Sequence, residues 1–278
     1  MNLIDRKITI RFQDLEDLKA CSDGRAVYAT VAEQAPEFTT TPRFLFTYAP
    51  TRQFCAWLQQ SGLMPSAFRC VDLSHTIMDG ISLTGVCMTE ATLTGTSLKF
   101  ARISYSDFSY ANLAFASMNC IELLDVNLRQ AVLTCANLTG ANIIMSNCRG
   151  AKFKDASLNR ASFAKSDASF AVFDAASMHQ VYGGSVNLTN ATLIKTDLRN
   201  SIFTYANLTN ADLSGAILVG CDFSGANLTG ANLTGAIIDG ADFRNANLRG
   251  AKVDGLYFKR SLSKGAIGLR EVNRRRPV

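Results

Sequence analysis

The chain has 278 residues, of which 47% are hydrophobic and 18% charged, with a formal net charge of +5. That length can bury a large core, and no apolar run approaches the ~18 residues a membrane span needs. The opening MNLIDRKITIRFQDLEDLK is charged throughout and lacks the apolar centre of a secretory signal, so a cytoplasmic location, or export without such a signal, is expected. The eight cysteines form no CxxC pair, which suits a reducing compartment better than a disulfide frame.

Residues 1–65 carry no fixed period and are expected to form a small α+β cap domain. KITIRF (7–12) alternates like a strand. Asp14 to Cys21 has helical spacing, and FLFTYAP (44–50) predicts a strand ending at proline. Thr51 to Gln60, with Gly62 beyond, predicts a helix that covers the open end of the adjoining segment.

From Phe68 a large apolar residue recurs every fifth position to Phe258, 39 positions in one phase. Only Cys148, Ala168 and Gly183 depart from Leu, Ile, Met, Val and Phe. Two residues before each lies a second series dominated by alanine (Ala91, Ala101, Ala111 and on to Ala251). A period of five fits neither helix nor ordinary strand, so it signals a repeat architecture. Four units make one square turn of 20 residues, with both series pointing inward. Stacked at about 4.8 Å, 39 units give roughly ten coils. Phe203, Phe223 and Phe243 then form one column, which Phe163 would extend but for Gly183. The Asn or Asp before each central residue suits a corner. Gly215 to Gly240, in steps of five, suit turns with positive φ. Around residues 166–186, where Ala168 and Gly183 replace large side chains, a bend, bulge or thin core is expected. Ser261 to Val272 predicts a short capping helix, followed by the Arg274–Arg276 tail.

The pattern Ala-(Asp/Asn)-(Leu/Phe)-(Ser/Thr/Arg)-Gly, cleanest in SGANLTGANLTGA (224–236), resembles the pentapeptide-repeat family over about residues 66–260. The resemblance implies an all-β solenoid, a right-handed quadrilateral β-helix. Three segments are therefore expected: an N-terminal cap (1–65), the β-helix (66–260), and a C-terminal cap with its basic tail (261–278). The family spans many roles, so the resemblance speaks to fold more than to function.

Candidate functional residues stand out where the repeat needs nothing large. Phe100, Tyr105, Tyr110 and Phe115 occupy four successive turn positions and so encircle one coil. They are either a local variant covering its neighbours, a surface that residues 1–65 fold over, or a contact girdle for a partner protein. Ile217, Ile237 and Tyr257 share an outward column beside Val219, and Leu124, Ile144 and Met145 make a second apolar patch. Either patch would serve a protein partner or a homodimer. Arg129, Arg149, Lys152 and Lys154 form a basic cluster, either splayed in solvent or holding a bound anion or an acidic partner. Catalysis finds no support: His75 and His179 are placed on opposite sides, about five coils apart, and no HExxH, GxSxG or P-loop occurs. No catalytic residue, cofactor, metal or specific nucleic-acid site is expected.

Charge separates two functions found within the resembled family. Quinolone-resistance members imitate duplex DNA to bind topoisomerase, which requires a strongly negative rod. Residues 66–260 hold sixteen Lys/Arg against fifteen Asp/Glu, and the excess lies in residues 261–278. A near-neutral rod favours a non-enzymatic interaction protein. The resemblance extends to bacterial effectors delivered into host cells, which also place a non-repeat region before the repeats.

Overall fold

In the computed structural model the described residues are 8–11, 37–40, 68–253, 256 and 261–268. β1 (Ile8–Arg11), within the predicted 7–12 strand, pairs antiparallel with β2 (Glu37–Thr40), a strand that no sequence pattern announces. The helices expected at 14–21 and 51–60 and the strand at 44–50 lie outside the described residues.

From Phe68 the backbone winds as a four-sided β-helix. Bridges join residues 20 apart, in parallel, along four columns. We call the sides A (Thr92, Asn112, Val132), B (Ile77, Ser97, Ser117), C (Ser82, Arg102, Glu122) and D (Cys87, Asp107, Asn127). Central residues donate their N–H to the next coil, as Leu73 does to the Thr92 carbonyl at 2.7 Å, and Thr92 N–H returns to the Val71 carbonyl at 2.8 Å. Side chains do not enter this ladder, so the outward positions are free to vary.

The inward series is buried throughout 68–253, and so is the small series up to Ala246. A corner explains the spacing. Val71 N–H donates to the Phe68 carbonyl at 3.2 Å, and Cys70 between them has φ 56°. Positive φ at the third residue of a four-residue turn defines a type II turn, which is where glycine recurs. The corner after side C differs in the early coils. There Val86 and Val126 N–H reach Ser106 Oγ and Ser146 Oγ, both at 3.1 Å, in the next coil. Those sides lengthen into β3 (Ser82–Thr84), β4 (Arg102–Ser104), β5 (Glu122–Leu124) and β6 (Asn142–Ile144), one parallel sheet in that order.

Four expectations need correction. The Asn/Asp residues sit mid-side, at the bridges, and accept from the backbone N–H two residues on, as Asn207 Oδ1 does from Thr209 at 3.2 Å. They lead into the corner instead of forming it. No bulge interrupts 166–186: Ala168 and Gly183 N–H keep their 2.7 Å bonds to Asn187 and Ile202. The missing volume is supplied across the coil. Phe163 packs edge-on against the stacked Phe153 and Phe173, 5.7 Å from each, and the Phe203 ring leans over Gly183. Residues 261–268 are not helical. They continue the coil, with Leu262 bridged to Asp242 and Ile267 to Asn247. Lastly, His75 and His179 are not on opposite sides: they flank side B, His75 at the corner that opens it and His179 at the corner that closes it.

Candidate interaction surface

The four aromatics occupy the four corners of one coil: Phe100 between sides B and C, Tyr105 between C and D, Tyr110 between D and A, Phe115 between A and B. All have positive φ, between 50° and 60°. Many other non-glycine turn residues share that backbone, so strain does not single them out. Nor does exposure alone: they are 63%, 62%, 48% and 63% exposed, and the corner residue Tyr205 is 75% exposed; what sets the four apart is that they fill four successive corners. One flat partner reaches at most two adjacent corners, so the girdle is four edges shared by four different faces.

Side C gathers more than its two corners. Strand register places Ser104 beside Leu124 and Leu124 beside Ile144. Met145 stands in the same corner column as Tyr105, two coils on. Leu124 and Met145 are exposed and Ile144 is half-buried. The girdle and the second apolar patch are therefore one surface here. Across its middle Arg102 Nε donates to Glu122 Oε2 at 3.0 Å.

The other candidates are less concentrated. Ile217 bridges Ile237, which is exposed while Ile217 is half-buried; Tyr257 lies outside the described residues. The basic residues diverge. The Arg129 guanidinium lies over the Tyr110 ring at 5.9 Å, in the preceding coil. Arg149 turns the other way, over Phe170 at 4.5 Å, and donates to Ser169 Oγ at 3.2 Å. Lys152 stands on the adjoining side A and Lys154 at the corner that follows it, both exposed. Each arginine covers an aromatic face, a cation–π arrangement, and the four charges form no single cradle.

A polar cluster on side B was not singled out from the sequence. Arg199 and His179 both hydrogen-bond Asp197, the arginine through Nε to Oδ1 at 3.0 Å and Nη2 to Oδ2 at 2.7 Å. Partial burial alone would raise the Asp197 pKa; the bonds from Arg199 and His179 override it and hold it at about 2. Asp197 lies two residues before Arg199 and 18 after His179, so column arithmetic would have found the trio. Burial pushes the inward thiols of Cys148 and Cys221 up to about 12. Among the described residues no three metal-ligating side chains converge, and no helix is long and apolar enough to cross a membrane.

A family model described as pentapeptide repeats matches eight copies, over 67–104, 106–143, 146–181, 185–220, 206–245 and 216–255. Among solved structures, HetL, a pentapeptide repeat protein involved in heterocyst differentiation regulation in the cyanobacterium Nostoc sp., is 30% identical. The alignment covers 69% of this chain and 86% of HetL, with a TM-score of 0.43. QnrB1, a plasmid-mediated fluoroquinolone resistance protein, is 12% identical over 74% of this chain and 98% of its own, with a TM-score of 0.38. A pentapeptide repeat protein of the Arabidopsis thaliana thylakoid lumen is 25% identical over 40% and 67%, with a TM-score of 0.26. No curated protein sequence matches. The expected fold class, an all-β solenoid, is borne out by the family model and by the four parallel columns of bridges.

Proposed function

The chain belongs to the pentapeptide-repeat family, and on that premise we propose that it is a non-enzymatic interaction protein whose rigid β-helix presents a protein-binding surface. The observation that carries this is the exposed girdle. The ladder is made by backbone and the core by inward residues, so neither requires aromatics at the corners. Exposed aromatic area disfavours solubility unless a partner covers it. DNA mimicry is the less supported alternative. On side D, where a continuous acidic strip could stack, Asn127, Asn147, Asn187, Asn207, Asn227 and Asn247 are neutral amides.

A photo-crosslinking amino acid placed singly at Phe100, Tyr105, Tyr110 and Phe115, with Arg249 as control, tests the proposal in the source cell's lysate. Discrete adducts at girdle positions and none at the control are expected. Equal labelling at all five positions, or none at any, would count against it.

A further inference from the structure

We propose that side C of the early coils is a self-complementary face on which two copies of this chain pack antiparallel. This rests on the protein-binding proposal and deepens it by naming one partner.

Only on side C do two girdle corners, Phe100 and Tyr105, coincide with Leu124, Ile144 and Met145. Their exposed apolar area is on the order of 400 Å². A standard interface buries about 800 Å² per partner, a little over half of it apolar. The area therefore matches one side of such an interface.

Charge selects the occupant and its direction. Arg102 and Glu122 stand one coil apart on the face, exposed and paired. Place a second copy face to face, related by a two-fold axis that lies in the contact plane, crosses the rod, and passes between β4 and β5. Arg102 of each copy then meets Glu122 of the other, giving four alternating charges. The other two-fold arrangement, with rods parallel, sets Arg102 against Arg102 and Glu122 against Glu122, which is repulsive.

Shape follows the same axis. It exchanges β3 with β6 and β4 with β5. Met145 falls opposite Gly85, where a Cβ built on the glycine meets nothing within 4 Å. Leu124 falls opposite Ser104, Ile144 opposite Thr84, and Phe100 opposite Cys120. At each of these points a large side chain meets a smaller one. Tyr105 falls opposite Asp125, an acceptor for its phenol. Isologous interfaces require this reciprocity, with residue i on j and j on i. The sequence supplies it along four consecutive coils.

Sedimentation equilibrium of the purified full chain tests this without any other protein present. A species of twice 30.1 kDa is expected at tens of micromolar. Arg102→Glu and Glu122→Arg should each weaken it at least tenfold, because each puts like charges together at two symmetric points. An equimolar mixture of the two variants should dimerise again, since one chain then carries two acids on this face and the other two bases. Leu124→Lys, which leaves the ion pair intact, should also weaken it. A monomeric wild type, or a dimer indifferent to all three variants, would overturn the inference. A monomer with positive girdle crosslinks in lysate would leave the broader proposal standing and remove only the second copy.

Discussion

Replacing Phe223 with alanine tests the packing most sharply. Its side chain is fully buried, between Phe203 at 5.6 Å and Phe243 at 5.4 Å, both stacked. Removing the ring takes away its transfer free energy and leaves a cavity walled by two rigid rings, costing about 3–5 kcal/mol. Both stacking contacts are lost as well, each worth about 0.5–1.5 kcal/mol beyond area, which places the loss in the upper half of that range. The walls cannot collapse easily, because each is fixed in its own coil by the 2.7 Å bonds of the ladder. Urea unfolding followed by circular dichroism should show the midpoint lowered by about 1 M or more. Solenoids can unfold in stages, so the comparison belongs to the transition that includes the last coils. Phe100→Ala, at an exposed corner, is the control and should move stability by no more than about 0.5 kcal/mol. A Phe223→Ala loss below about 1 kcal/mol would refute the inward assignment.

Gly183→Ala should destabilise by about 1–3 kcal/mol in the same assay, since its Cβ would sit 2.6 Å from the Phe203 ring; neutrality would show that the ring does not fill that space. Asp197 has a folded pKa of about 2 against an ordinary 3.8. A depressed carboxyl contributes stability that is complete above about pH 4 and is lost as pH falls towards 2. Asp197→Asn should therefore lower the melting temperature at pH 6 and flatten its fall between pH 4 and 2; an unchanged acid limb would contradict the trio on side B. In alkylation read by mass spectrometry, the exposed Cys135 should react promptly, whereas buried Cys148 and Cys221 should react only after denaturation. Early labelling of Cys148 would mean that the coil opens.

The fold was legible because each unit meets its own counterpart 20 residues on, which imprints one phase on the whole rod. Inward and small positions followed from Phe68, Leu73 and their successors alone. Column reading failed where packing crosses the coil: Gly183 looks like a void in its column, yet Phe203 and the Phe153–Phe163–Phe173 group fill the interior around it. It also failed at 261–268. Ser263 and Gly268 break the apolar series, but a ladder of backbone bonds does not need side chains to continue. The girdle could be read from the sequence because turn positions tolerate small residues. Its union with Leu124, Ile144 and Met145 was missed because these lie 19 to 40 residues from Tyr105. Stacking brings them together at about 4.8 Å per coil.

The most direct test of the central claim separates folding from binding. The variant with Ser at Phe100, Tyr105, Tyr110 and Phe115 should melt within a few degrees of the wild type, because none of the four supports the core. The same variant should lose association, both the self-association of the purified chain and the girdle-dependent capture of partner protein. A variant that melts normally and still associates with wild-type affinity would contradict the claim that these corners are the binding surface.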